Sequence, residues 1–370
     1  MFWSSRRKRQ STNYNFRKLI DTQQFSDTLP KKGKAQIICD IDKTYLETEF
    51  ESVWQMIRVA LEDAREKVTV KGASEVLLAA RWGVQRSPNP LDDYYPQQLH
   101  FVSASPPQMR TVLEEKLYMD GLDWNTDTFK NQAYNIRKAR MDLLKTHLIY
   151  KTAAIMDIIS ESQDGSEFYL IGDNAESDTY IYSGIKLFCE KRLNLQEWAQ
   201  YLIYAGVEPK IAKDFTTSIK KIPDVSIKAI FIRNAPGYNF ISQKPLTDII
   251  YNFNNFYEAA LILIYMNVIE VGFLWQLTRD FHNNHGLPLA ELIGSLDKIA
   301  KFPNLSEEIL IEISRTYKRL SKAGPLMDSE KDPSTLKVVE TSEYYRMESP
   351  QIMELAQKWA SNIKAKNHKK

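Results

Sequence analysis

Apolar residues fall into two kinds of run along this chain. Before about residue 235 they form short dense blocks, Ala35–Asp40, Leu99–Ser103, Glu167–Gly172 and Ser226–Ile232, each ended by polar or turn-forming side chains. Blocks of that length predict buried strands. Between them the spacing turns helical. Phe50–Lys67 places Val53, Trp54, Ile57, Ala60 and Leu61 on one face, and Gly72–Trp82 and Ala133–Ile159 also predict helices. Ser87-Pro88-Asn89-Pro90 marks a loop. Strands alternating with helices predict an α/β fold with a mainly parallel, three-layer sheet. Residues 1–33 read as irregular. After about Asn234 only helices are predicted, at Leu246–Phe253, Tyr257–Phe281, Pro288–Ile299, Ser306–Ser321 and Pro350–Ile363. No internal repeat interrupts either part.

Composition narrows the class. A length of 370 residues, 43% apolar and 26% charged, is that of a globular protein with one large domain or two ordinary ones. A net charge of +2 gives no overall affinity for polyanions, so no nucleic-acid partner is expected. The ends differ. Arg6, Arg7, Lys8, Arg9, Arg17, Lys18, Lys31, Lys32 and Lys34 face only Asp21 and Asp27, and Lys364, Lys366, Lys369 and Lys370 lie near the other terminus. Such segments read as solvated tails or as weak attachment to anionic lipid or nucleic acid, at about 1 kcal/mol per basic residue near a charged membrane. Two cysteines, Cys39 and Cys189, in no metal-type spacing, predict a reducing, cytoplasmic setting without disulfides. No secretory leader is evident at Met1–Arg6. The apolar stretch Ala259–Leu277 contains Asn267, Glu270 and Gln276, which favours a buried amphipathic helix over a membrane span.

The candidate chemistry begins at Ile37-Ile38-Cys39-Asp40-Ile41-Asp42-Lys43-Thr44. A strand here points Asp40 and Asp42 to one face and delivers both to its carboxyl end, where open α/β sheets bind ligands. Two acids so close need a cation between them, or one keeps a proton. Asp-x-Asp-x-Thr arises by chance in roughly one chain in twenty of this length. A strand end followed by a helix cap is the alternative, so later segments must decide.

Three segments complement it. Ser103 and Ser105, with the turn amides around Ala104, suit a phosphate oxygen, although a plain Ser-Pro turn fits them as well. Lys151, amid apolar helical residues, is either a snorkelling surface lysine or a cation that offsets a phosphoryl group. Ile171-Gly172-Asp173 ends a strand as Asp40 does, and Asp178 lies five residues on, within reach across one helical turn. Carboxylates with water and substrate oxygens are what Mg2+ prefers. His282-Asn283-Asn284-His285 reads as a polar loop beside Gly286 and Pro288 rather than a metal pair.

In this order the stretches resemble the haloacid dehalogenase (HAD) superfamily of phosphohydrolases, over about residues 35–235. The nearest likeness is the actin-patch type of phosphatidate phosphatase. The resemblance implies a Rossmann-like, HAD-type sheet over 34–236, with a small lid at 46–69, a basic segment before it and a helical region over 237–370. It implies Asp40 as nucleophile, Asp42 as general acid and base, and Lys151 as stabiliser of both nucleophile and phosphate. It places the substrate phosphate near Thr44, Ser103, Ala104 and Ser105. Mg2+ is assigned to Asp40, Asp42 (through its backbone carbonyl), Asp173 and Asp178. Lys43, Ala104, Pro107 and Asn174 depart from the related pattern. A small lid suits a phosphate on a large substrate, with phosphatidate first. A phosphoprotein, a nucleic-acid end, a soluble metabolite, or a non-catalytic role built on the helical region are the alternatives.

Overall fold

The structure is a computed structural model, and it describes residues 19–25, 35–47, 64–83, 96–105, 107–131, 143–175, 177–219, 222–238, 246–323 and 347–367. Seven strands form one sheet: β1 (Ile20–Gln24), β2 (Ala35–Asp40), β3 (Gln98–Ser103), β4 (Thr126–Lys130), β5 (Glu167–Asp173), β6 (Ser226–Arg233) and β7 (Ile250–Phe253), in the order β1-β4-β3-β2-β5-β6-β7. All neighbours run parallel except β1, which pairs antiparallel with β4. From β2 the chain builds outward through β3 and β4, then crosses to β5, β6 and β7 on the other side. The crevice at such a reversal lies between β2 and β5.

The four strands foreseen in the sequence are present, with β3, β5 and β6 each one residue longer than predicted. Their side chains alternate between two buried faces. Ile37, Cys39, Phe101, Tyr169, Ile171, Ala229 and Phe231 enter one apolar cluster, while Ile38, Val102, Phe168, Leu170, Ile230 and Ile232 enter the other. This double burial is why the strands read as continuous apolar runs.

The first face is covered by α1 (Ala73–Trp82) and α2 (Arg110–Met119) and by α7 (Phe256–Tyr265), α8 (Leu274–Asn283), α9 (Leu289–Ile299) and α10 (Glu307–Ala323). The second face carries α3 (Leu143–Ser160), α4 (Asp178–Cys189), α5 (Leu195–Tyr204), α6 (Pro209–Ser218) and α11 (Ser349–Asn367). The helices after residue 250 therefore share a core with the sheet. No helix among the described residues is long and apolar enough to cross a membrane.

Several expectations are corrected. A strand, β1, lies within the segment read as irregular. The helix expected over Leu246–Phe253 is replaced at its end by strand β7, because Ile249, Ile250 and Tyr251 favour a pleated surface. The asparagines after it favour a stop, and Asn255 accepts the Glu258 N–H to cap α7. The helix expected over Tyr257–Phe281 breaks into α7 and α8, with Asn267 in a left-handed conformation (φ 57°) between them. Strand β4, Thr-Asp-Thr-Phe-Lys, was not foreseen because its buried polar positions carry no apolar signal. His100 Nδ1 lies 2.7 Å from Thr126 Oγ1, Arg110 Nε 3.0 Å from Asp127, and Thr22 Oγ1 3.1 Å from Thr128 Oγ1. The start of the predicted helix at Ala133 and most of the Phe50–Lys67 helix and 46–69 lid lie outside the described residues. The two ends of that segment do meet, with Leu46 bridged to Thr69 and Glu47 N–H donating to Val68 O at 2.9 Å.

Candidate active site

Four strands end at the crevice with polar residues: Asp40 on β2, Ser103 on β3, Asp173 on β5 and Arg233 on β6. Register makes this a necessity rather than a coincidence, since Asp40 pairs with Val102 and Asp173 with Arg233. Asp40 falls on the sheet face that α3 covers. There Lys151, one turn after the described start of that helix's buried face, places Nζ 3.0 Å from Asp40 Oδ1 and 2.6 Å from Asp178 Oδ1. Lys151, Asp40 and Asp178 are each at most 1% exposed.

Asp178 opens α4 behind Ser177. Its second oxygen accepts the Asp173 backbone N–H at 3.2 Å and lies 3.5 Å from the Tyr182 hydroxyl. Gly172 is required here, because a Cβ at that position would meet Asp178 Oδ2 at 2.3 Å. Asp173 Oδ1 accepts the Ala175 N–H at 2.5 Å. The Thr44 hydroxyl lies 3.3 Å from Asp40 Oδ2 and 3.5 Å from Asp173 Oδ2, so it sits between the two strand-end acids.

Asp42 differs from the expectation of two acids along one strand. The strand ends at Asp40, and Asp42 stands in the following turn, where Lys43 is left-handed (φ 58°). That turn aims Asp42 at the serines: Ser103 Oγ and Ser105 Oγ donate to Asp42 Oδ2 at 2.9 and 3.0 Å, and Ser105 N–H donates back to Ser103 Oγ at 3.0 Å. Ala104 is the half-buried middle residue of that serine turn. Asp40 thus faces an ammonium, while Asp42 faces two hydroxyls.

One oxygen from each of Asp40, Asp173 and Asp178 lies within 4.8 Å of the others. Three buried carboxylates against one buried ammonium leave an excess of negative charge in a site that water reaches poorly. A hard divalent cation could balance that excess, and an all-oxygen donor set would fit Mg2+ or Ca2+ rather than a thiolate-seeking metal. Cys39 takes no part in such chemistry. Burial first, then the charges of Asp40 and Asp178, hold its thiol well above the ordinary range against the pull of Lys151, so it carries no thiolate.

The structure adds residues to which the sequence assigned no role. The Tyr150 hydroxyl donates at 2.6 Å to the Ser103 carbonyl and lies 2.7 Å from that of Thr128, pinning the serine turn from below. Burial holds that phenol neutral. Arg233 Nη1 donates to the Lys43 carbonyl at 2.7 Å, and Asn174 Oδ1 accepts the Ala235 N–H at 2.9 Å. Arg233 had a legible signal, a charged residue at the carboxyl end of a buried strand; Tyr150 had none beyond standing next to Lys151.

With this geometry in view, the comparison with known families is specific. Residues 35–193 match the family model described as phosphatidate phosphatase APP1, catalytic domain. Over that segment the likeness to the APP1 type is shown. It spans Asp40, Asp42, Thr44, Ser103, Lys151, Asp173 and Asp178, and ends before β6. No curated protein and no solved structure matches the chain. The APP1 likeness therefore covers β2 to α4, and Arg233, β7 and the helices after it lie beyond it.

Proposed function

We propose that the protein is a Mg2+-dependent phosphatidate phosphatase of the HAD type, with an aspartyl-phosphate intermediate. The observation that carries the mechanism is the contrast between the two acids: Asp40 is paired with Lys151 at 3.0 Å, and Asp42 is held by Ser103 and Ser105 at 2.9 and 3.0 Å. The APP1 match supports the substrate class. The outward order of strands from β2, with acids ending β2 and β5, supports the superfamily. The catalytic unit is taken as residues 34–236, with the lid at 46–69 and the later helices packed on it.

In the first step an Asp40 oxygen forms a bond to phosphorus as the bond to the ester oxygen breaks, and Asp42 gives that leaving oxygen its proton. In the second, Asp42 takes a proton from water, whose oxygen attacks the phosphorus and frees Asp40. Splitting one hard displacement into two is the gain of a carboxylate nucleophile. Lys151, fixed by Asp178, offsets charge on the phosphoryl oxygens, and Ser103, Ser105 and Thr44 orient the group through hydroxyls already in place. Mg2+, held by Asp40, Asp173 and the Asp42 carbonyl with Asp178 in support, supplies charge neutralisation when bound.

A phosphatidate headgroup is a dianionic monoester on a large apolar body, which suits a site that a short lid would leave open to large substrates. The buried free thiols of Cys39 and Cys189 fit a cytoplasmic setting, and the basic terminal segments, of which Lys364 and Lys366 lie on the last helix, fit contact with an anionic membrane. The test is phosphate release from phosphatidate in mixed micelles, beside soluble monoesters, with and without Mg2+. Turnover of phosphatidate that needs Mg2+ and is lost in Asp40→Asn is expected. Turnover of soluble esters alone removes the lipid assignment, and no turnover of any ester removes catalysis.

A further inference from the structure

The turn that carries Asp42 is held from a strand outside the segment matched to the APP1 family. Lys43 adopts a left-handed backbone, φ 58°, which L side chains disfavour. Three contacts keep it there. Arg233 Nη1 donates to its carbonyl at 2.7 Å, its own Nζ donates to the Tyr238 hydroxyl at 3.1 Å, and the Tyr238 ring centre lies 4.9 Å from the same ammonium. Asn174 closes the frame. Its N–H donates to the Arg233 carbonyl at 3.0 Å, its Nδ2 to the Tyr238 carbonyl at 3.4 Å, and its Oδ1 accepts from Ala235. The loops after β2, β5 and β6 are tied together at the crevice.

Arg233 is 6% exposed; Glu47, 3.9 Å from Nη2, is half exposed, and the charge of Asp173 on the neighbouring strand also acts on Arg233. That is a weak return for burying a guanidinium. The strong bond it makes is to a peptide carbonyl between Asp42 and Thr44. Rotation of that peptide would move Asp42 off the serines and Thr44 from between Asp40 and Asp173.

We propose that Arg233 is a positioning residue: by holding the Lys43 carbonyl it fixes the 41–46 turn in the one arrangement that presents Asp42 and Thr44 to the reaction. The kinetic part rests on the phosphatase function; the conformational part does not. The experiment compares wild type, Arg233→Ala and Arg233→Lys by hydrogen exchange and by phosphatidate kinetics, with and without millimolar guanidinium. Tyr45 and Leu46 N–H donate to the Ile41 carbonyl at 3.0 and 2.9 Å, so a peptide covering 41–47 reports the turn.

In Arg233→Ala that peptide exchanges at least about tenfold faster while β2 and β5 keep their protection. The value of kcat falls about 100-fold with KM changed little, the size expected of a small misplacement of catalytic groups. Guanidinium, or Lys at 233, restores part of both. Exchange or kcat equal to wild type in Arg233→Ala overturns the proposal. So does loss of protection across the whole sheet in both variants, which assigns Arg233 to stability alone. If wild type hydrolyses no phosphate ester, the proposed function fails by itself, and the exchange result still decides the role of Arg233 in the turn.

Discussion

The two faces of the sheet do different work. The α3 and α4 face delivers Lys151 and Asp178 to Asp40, so three charged side chains are buried at a single strand end. The opposite face, under α1, α2 and α7–α10, is apolar in its middle: Ala259, Ala260, Ile262 and Leu263 of α7 pack with Ile37, Cys39 and Ile41 and carry no charge to the crevice. Both faces fix β2, but only one adds chemistry. Substitutions on the α3 and α4 face should therefore cost activity, and those on the opposite face should cost stability.

The largest expected effect is at the centre. Asp40→Asn should lower kcat on phosphatidate by roughly four orders of magnitude or more, as the loss of a nucleophile does. Its structure should change little, because asparagine keeps the shape, with its carbonyl oxygen toward the Lys151 ammonium and its amide nitrogen donating to the Thr44 hydroxyl oxygen. Lys151→Met comes next, with a loss of roughly 10³ in kcat. It should also lower the melting temperature, because removing one partner leaves Asp40 and Asp178 buried without their shared cation. Thermal melts with and without Mg2+ check this: added Mg2+ should recover more stability in Lys151→Met than in wild type.

The opposite face is tested by Leu263→Ala, which should cost about 2–5 kcal/mol in denaturant titrations and leave kcat within about twofold below the unfolding transition. Gly72→Ala should act in the same direction. Gly72 has φ 75°, and an added Cβ would meet the Phe281 ring at 2.0 Å. A kcat loss in either variant matching that of Lys151→Met would break the division between the faces.

The smallest effect concerns pH. Burial pushes Asp127 up to about 7, with Glu114 adding and Arg110 opposing. The folded value stands above the ordinary 3.8, so this group's contribution to stability is full below pH 4 and is lost as pH rises through 7. Its slope is at most about 1.4 kcal/mol per pH unit. Asp127→Asn should flatten that part of the stability curve, measured by urea titration at several pH values, without moving the pH profile of kcat.

How legible each face was follows from the same division. That Asp40, Asp42, Thr44, Ser103, Lys151, Asp173 and Asp178 would meet was readable because strand ends in an open α/β sheet converge on one crevice. The four central strands were readable because buried strands must be apolar on both faces, while their order in the sheet was not. Strand β4 was hidden since Thr126, Asp127 and Thr128 are satisfied by tertiary partners that no local pattern reveals. β7 was hidden because four residues flanked by helical signals fit either period. The C-terminal helices were legible as amphipathic segments, yet their docking on β2 was not, since an apolar stripe does not name what covers it. Arg233 shows the same limit: its place at a strand end was visible, and the peptide it holds, 190 positions away in sequence, was not.

The central claim is that Asp40 becomes covalently phosphorylated. Acid quenching of wild type during turnover of phosphatidate with Mg2+, followed by peptide mass spectrometry, tests it most directly. The account predicts one phosphoryl group on the peptide containing Asp40, removed by hydroxylamine and absent from Asp40→Asn. A label on any other residue, or turnover with no labelled peptide under conditions that preserve acyl phosphates, would contradict it.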